Sequence, residues 1–159
     1  MKTEQTLIIE KVLLSGCFGA NPRLAIEYGT SEVTIGFQRN GNGKEIVDFL
    51  SYDAKKNIYR CYEIKVSMQD FRSKAKKSWY GNYNYLVLSS ELFSEQTKSE
   101  WKKELPDGVG LIVVNTHTRE KITAISPKRQ DITTEIADVL QTSLLRTLFY
   151  QNVKKSALT

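Results

Sequence analysis

Apolar residues crowd positions 4–15 (EQTLIIEKVLLS) at spacings that suit a helix, and Gly16 and Gly19 follow as its stop. Asn21-Pro22 and Tyr28-Gly29-Thr30 then punctuate the chain, and the short apolar piece Leu24 to Ile26 fits neither period. Alternation returns at Glu32 to Phe37 (EVTIGF) and predicts a strand. Asn40-Gly41-Asn42-Gly43 is a turn signal, and strands are expected at Glu45 to Tyr52 and Ile58 to Val66, with a hairpin loop over Asp53 to Asn57. Ser67 is placed to cap a helix, with Asp70 three residues on as in a capping box. Met68, Phe71, Ala75 and Trp79 recur at helical spacing as its inward stripe, and Gly81 ends it. Further expectations are a strand at Tyr83 to Leu88, a helix at Glu91 to Glu104, strands at Val109 to Val114 and Lys121 to Ile125, and a last helix from Asp131, its cap, to Tyr150. The order α-β-β-β-α-β-α-β-β-α predicts one α/β layered domain with a central mixed sheet flanked by helices.

The third strand reads as buried over Cys61 to Val66, yet it carries Glu63 and Lys65 on one face because side chains alternate along a strand. In an antiparallel hairpin, facing residues have a constant index sum. A turn closed around Lys55 and Lys56 pairs Asp53 with Ile58, and the same register sets Asp48 opposite Glu63. Facing Cβ atoms lie ~5 Å apart, so Asp48, Glu63 and Lys65 converge. Two carboxylates at ~4 Å repel by roughly 4 kcal/mol at an effective dielectric of about 20. Three remedies are open: one carboxyl stays protonated, Lys65 bridges the two, or a divalent cation sits between them. Two acidic oxygen donors suit Mg²⁺ or Mn²⁺.

Composition narrows the classes. Of 159 residues, 23 are Lys or Arg and 18 Asp or Glu, giving a net charge of +5, a mild bias toward polyanions. No apolar run has a transmembrane length, and Leu7 to Leu14 is too short and too charged for a signal peptide, so a cytoplasmic protein is expected. Cys17 and Cys61 are far apart without metal-site spacing and read as reduced core thiols. His117 is the single histidine and lies in a polar turn, which excludes a histidine-based zinc site. Ser89 and Ser90 lack a histidine partner for hydrolase chemistry. No glycine-rich phosphate loop is present.

Asp48 in EIVDFL followed by Glu63-Ile64-Lys65 on the next strand resembles the D…E-x-K signature of the PD-(D/E)XK nuclease superfamily. The expected helix, three-strand meander, helix and strand match that superfamily's restriction-endonuclease-like αβββαβ core. EVTIGF, VDFLSYD, YRCYEIKVSMQDFRSKAKK and GNYNYLVLS resemble its MmcB-like branch, assigned to DNA repair in bacteria and their phages. The resemblance spans roughly Ser31 to Val114, and the superfamily's usual Pro before the Asp is Val47 here.

The resemblance implies a Mg²⁺- or Mn²⁺-dependent deoxyribonuclease acting in DNA repair, recombination or phage DNA processing. Asp48, Glu63 and the Ile64 carbonyl would be metal ligands, and Lys65 would position or help deprotonate the attacking water. Glu10 on the first helix and Glu32 at the first strand are candidates for a further catalytic carboxylate. After the motif, Gln69, Arg72 and Lys76 lie on one strip of the expected helix, with Lys74 and Lys77 elsewhere on its exposed surface, as candidate DNA-backbone contacts. Tyr80 is a candidate base-stacking residue. A rival reading is a nucleic-acid-binding or adaptor protein on the same fold without efficient catalysis. DNA, single-stranded or structured duplex, is the expected partner. A homodimer is possible, and no residue identifies its face.

Overall fold

The computed structural model describes residues 2–35, 45–73 and 77–157. Helix α1 (Glu4–Phe18) is capped by Thr3, whose hydroxyl accepts the Thr6 N–H, and ends at Gly19 with φ 59°. A 3-10 turn, Pro22–Leu24, occupies the piece that fitted neither period. Strands β1 (Glu27–Ile35), β2 (Glu45–Asp53) and β3 (Ile58–Lys65) form the meander. Then come α2 (Met68–Phe71), β4 (Tyr83–Ser89), α3 (Ser90–Phe93), α4 (Lys98–Glu104), β5 (Gly110–Val114), β6 (Lys121–Ile125) and α5 (Thr134–Ala157).

The described strands make one six-stranded sheet in the order β1-β2-β3-β4-β5-β6. The β3–β4 and β4–β5 junctions are parallel, and the other three are antiparallel. This is a mixed α/β fold with helices on both faces. One face buries Phe49, Tyr62, Ile64, Val87, Ile112 and Val114 under Ile9, Val12 and Leu13 of α1. The other divides in two. Val33, Ile35, Val47, Leu50, Tyr59 and Cys61 pack under Leu140 and Leu144 of α5. Leu86, Leu88 and Leu111 pack with Leu92 of α3 and Trp101 of α4, joined by Met68, Phe71 and Trp79.

The β2–β3 hairpin takes the expected register: Asp53 faces Ile58, and the pairs run to Phe49 and Tyr62. Asp53 Oδ1 accepts the N–H groups of Lys55 and Lys56, which closes the turn.

Several expected elements differ. β1 starts at Glu27, five residues early, because Tyr28-Gly29-Thr30 belongs to the strand rather than to a turn. A Cβ on Gly29 would stand 2.8 Å from the Phe49 ring and 3.0 Å from Cys17 Sγ, so the glycine serves a close approach to α1. Gly36, Phe37 and the 40–43 turn signal lie outside the described residues.

Among the described residues, the helix expected from Ser67 to Gly81 is a single turn, and Ala75 of its expected inward stripe lies outside them. Ser67 caps it, but Trp79 has φ 52°, outside any right-handed helix. Met68, Phe71 and Trp79 still pack together, so their spacing reported burial and not a continuous helix. The Asp70 side chain reaches Lys65 rather than closing a capping box. The Glu91 to Glu104 segment is two helices, because Thr97 starts a new one with a capping box to Glu100. The last helix is capped by Thr133, which accepts the Ile136 N–H, and not by Asp131.

Candidate functional site

The paired part of the β2–β3 ladder stops at Phe49 and Tyr62. One step beyond, where the register brings Asp48 and Glu63 together, the Asp48 Oδ2 accepts the backbone N–H of Ile64 at 2.7 Å. A side chain thus replaces a ladder bond where the two strands part.

The β1–β2 pairing is also interrupted here. Its register passes from Ser31–Phe49 to Val33–Val47 and skips the facing pair Glu32 and Asp48. Glu32 has φ 55°, a conformation uncommon for a residue other than glycine. The kink reverses the alternation. Val47 and Leu50 both face α5, and Asp48 and Phe49 take up the reversal between them.

Glu63 follows Tyr59 and Cys61 on the face shared by the α5 and α4 clusters, beside Leu86 of β4. It is 3% exposed. Burial, reinforced by the neighbouring Asp48 charge, pushes its carboxyl up to about 8. Lys77 opposes this. Its Nζ forms an ion pair with Glu63 Oε2 at 3.0 Å, and no hydrogen bond of good geometry reaches that buried oxygen. Lys77 also donates to the Ile46 carbonyl at 3.4 Å. Next to it, Glu45 accepts the backbone N–H and hydroxyl of Ser78 at 2.8 and 3.1 Å and fixes the segment that carries Lys77.

Two of the three expected remedies therefore operate on the acid pair, one of them with a different residue. Glu63 favours its protonated form, and the cation beside it is Lys77 rather than Lys65. Lys65 Nζ lies 3.3 Å from Asp70 Oδ1. Lys77 was expected on an exposed helix surface; it is half-buried at the acid pair because the chain there is not helical.

The remaining candidates are distributed as follows. Glu10 and Glu32 both pair with Lys2, and Glu32 is 60% exposed. Among the described residues, no three His, Cys, Asp or Glu side chains form a group able to hold a metal ion. Gln69 is exposed on α2. Arg72 makes a bidentate pair with Glu104 of α4, both bonds 3.0 Å, and lies over the Phe71 ring. Gln69 lies in the one-turn helix α2 and Arg72 is its C-cap, while Lys74 and Lys76 lie outside the described residues. Tyr80 packs against the α5 cluster.

The remaining polar candidates are structural. Ser89 caps α3, and His117 sits in a turn whose N–H groups bond Asn115 Oδ1. Cys17 and Cys61 are free thiols, both pushed up mainly by burial, Cys17 to about 12. No described helix is long and apolar enough to cross a membrane.

No protein-family model and no curated protein matches the chain. Its fold is similar to a solved protein of unknown function from Silicibacter pomeroyi, with a TM-score of 0.65 and 16% identity over 95% of this chain and 89% of that one. That likeness establishes the α/β fold.

Proposed function

We propose that the protein is a metal-dependent nuclease of the PD-(D/E)XK type that hydrolyses DNA phosphodiester bonds. The observation that carries the reading is the juxtaposition of Asp48 with a buried Glu63 whose Oε2 lacks a hydrogen-bond partner, at the rim of β3 where Lys65 also stands. Mg²⁺ and Mn²⁺ keep most of their waters and are held by one or two carboxylates, so Asp48, Glu63 and the Ile64 carbonyl fit such an ion. Once bound, the ion would supply a Lewis acid and a water that is nucleophilic at neutral pH.

The chain's own groups do the rest. Asp48 is already oriented by the Ile64 N–H. Glu63 would hold such an ion in its ionised form, and Lys65, which stands 3.3 Å from Asp70 Oδ1, would orient the attacking water and offset charge developing on the phosphate. DNA repair, recombination and phage DNA processing are the settings that the resemblance suggests.

The Lys77–Glu63 contact supports a second reading, a nucleic-acid-binding or adaptor protein without efficient catalysis, because Lys77 already supplies positive charge at the acid pair. A panel of single-stranded, duplex, flap and mismatched DNA with Mg²⁺ and Mn²⁺ separates the two. Under the nuclease reading Lys65→Ala lowers cleavage by about 10² or more and keeps the melting temperature. DNA binding with no metal-dependent nicking of any substrate selects the second reading.

A further inference from the structure

We propose that the groove between α1 and the β5–β6 hairpin is a second DNA contact, in which Lys11, Arg119 and Lys121 bind backbone phosphates away from the acid pair. The choice of DNA rests on the nuclease reading, whereas the preference for a polyanion rests on the groove itself. It encloses about 390 Å³ and is lined by Lys11, Val12, Ser15, Gly16, Arg119 and Lys121. No carboxylate lines it.

Lys2, Arg60, Lys65, Arg72 and Lys77 each stand within 4.0 Å of a carboxylate. Among the described residues, none does so for Lys11, Arg119 or Lys121. Three like charges gathered around one concavity favour an anion inside it, most strongly at low salt.

Two local features border the groove. Gly16 lies inside α1, where glycine costs about 1 kcal/mol relative to alanine. The Lys121 ammonium lies against the helix there, 2.8 Å from where a Cβ on Gly16 would stand, an approach that the flexible end of the lysine relieves by a small shift. Arg119 has φ 64°, a conformation that glycine or asparagine adopts most readily. Its N–H donates to the Asn115 carbonyl at 2.7 Å, which holds a long cationic side chain at the turn.

The sheet register locates the groove relative to the acid pair. Lys65 faces Leu88 on β4, Leu88 faces Val113 on β5, and Lys121 on β6 faces the adjacent Val114. Lys65 and Lys121 thus stand at the same end of the sheet, three strands apart and on opposite faces, Lys65 with the α4 cluster and Lys121 against α1, so the groove is a contact separate from the acid pair.

The test is fluorescence anisotropy with a short labelled duplex in EDTA, across a range of salt. The variant Lys11→Glu/Arg119→Glu/Lys121→Glu is compared with a control of equal charge change, Lys98→Glu/Lys102→Glu/Lys103→Glu, on exposed positions of α4. The groove variant is expected to lose about tenfold or more in affinity and to flatten the salt dependence by about 2 to 3 in slope, close to 0.9 per phosphate, with the control near wild type. Equal losses in both, or none in the groove variant, overturn the proposal. So does a groove variant that loses binding only to phosphatidylserine vesicles. If triple charge reversal prevents folding, Lys11→Gln/Lys121→Gln is read by the same criteria. Groove-dependent binding without Mn²⁺-dependent nicking sinks the nuclease reading and leaves the groove standing; nicking with groove-independent binding does the reverse.

Discussion

Lys77 Nζ stands 3.0 Å from Glu63 Oε2, and Asp48 is the other charge on that carboxylate. The lysine occupies the side of the acid pair where a metal ion would compete with it. Removing its charge favours a divalent ion about twice as strongly as it favours the proton. In Lys77→Met at pH 8, the Mn²⁺ concentration that half-saturates the thermal shift is therefore expected to fall by about tenfold, ~1.4 kcal/mol. A shift curve that coincides with wild type contradicts the arrangement. The folded state itself loses little below neutral pH, because Glu63 answers the loss of Lys77 by holding its proton.

The same carboxyl sets a pH dependence of stability. Its folded pKa of about 8 lies above the usual 4.5. The folded state binds the extra proton, so this stabilisation is complete below about 4.5 and is lost as pH rises through about 8, at no more than about 1.4 kcal/mol per pH unit. Glu63→Gln keeps the shape and removes the titration. Urea unfolding from pH 5 to 9 is expected to show the stability of Glu63→Gln rising relative to wild type up to pH 8 and then levelling. A pH-independent difference would refute the shift.

Gly29 provides a test of how α1 is seated. A Cβ there would meet the Phe49 ring at 2.8 Å and Cys17 Sγ at 3.0 Å, both in packed positions. Gly29→Ala is expected to destabilise by about 1–3 kcal/mol through overpacking, read as a lower urea midpoint with an unchanged slope. Gly29→Ala/Cys17→Ala is expected to recover part of that loss, because the sulfur is one of the two obstructions.

What could be read in advance, and what could not, follows from the range of the interactions. The β2–β3 register depends on a short turn and a constant index sum, both local, and the structure has Asp53 opposite Ile58 as expected. Most of the succession of strands and helices along the chain was legible for the same reason. The path of residues 67–81 was not: Met68, Phe71 and Trp79 satisfy helical spacing, but they gather around Trp101 from a one-turn helix and a non-helical segment. Lys77 then reaches Glu63 from a place no periodicity marks. Glu45, which anchors that segment through Ser78, was equally hidden, because its partner lies 33 residues on. The kink at Glu32 leaves no composition signal either, since glutamate is a poor marker of positive φ.

The Asp48–Ile64 bond separates structure from chemistry at one residue. Ile64 is 4% exposed, so its N–H has no ready access to water once the carboxylate is removed. Asp48→Ala is expected to cost about 1–3 kcal/mol for the unsatisfied donor, seen as a lower urea midpoint. Asp48→Asn keeps an acceptor oxygen within reach of that N–H and is expected to retain most of the stability. It removes the charge, so it should lower the Glu63 carboxyl toward its usual range and abolish the Mn²⁺-induced thermal shift. If Asp48→Asn destabilises as much as Asp48→Ala, the bond depends on charge and the two roles cannot be separated. If Asp48→Asn keeps the full Mn²⁺ response, Asp48 holds β3 in place and takes no part in binding a cation.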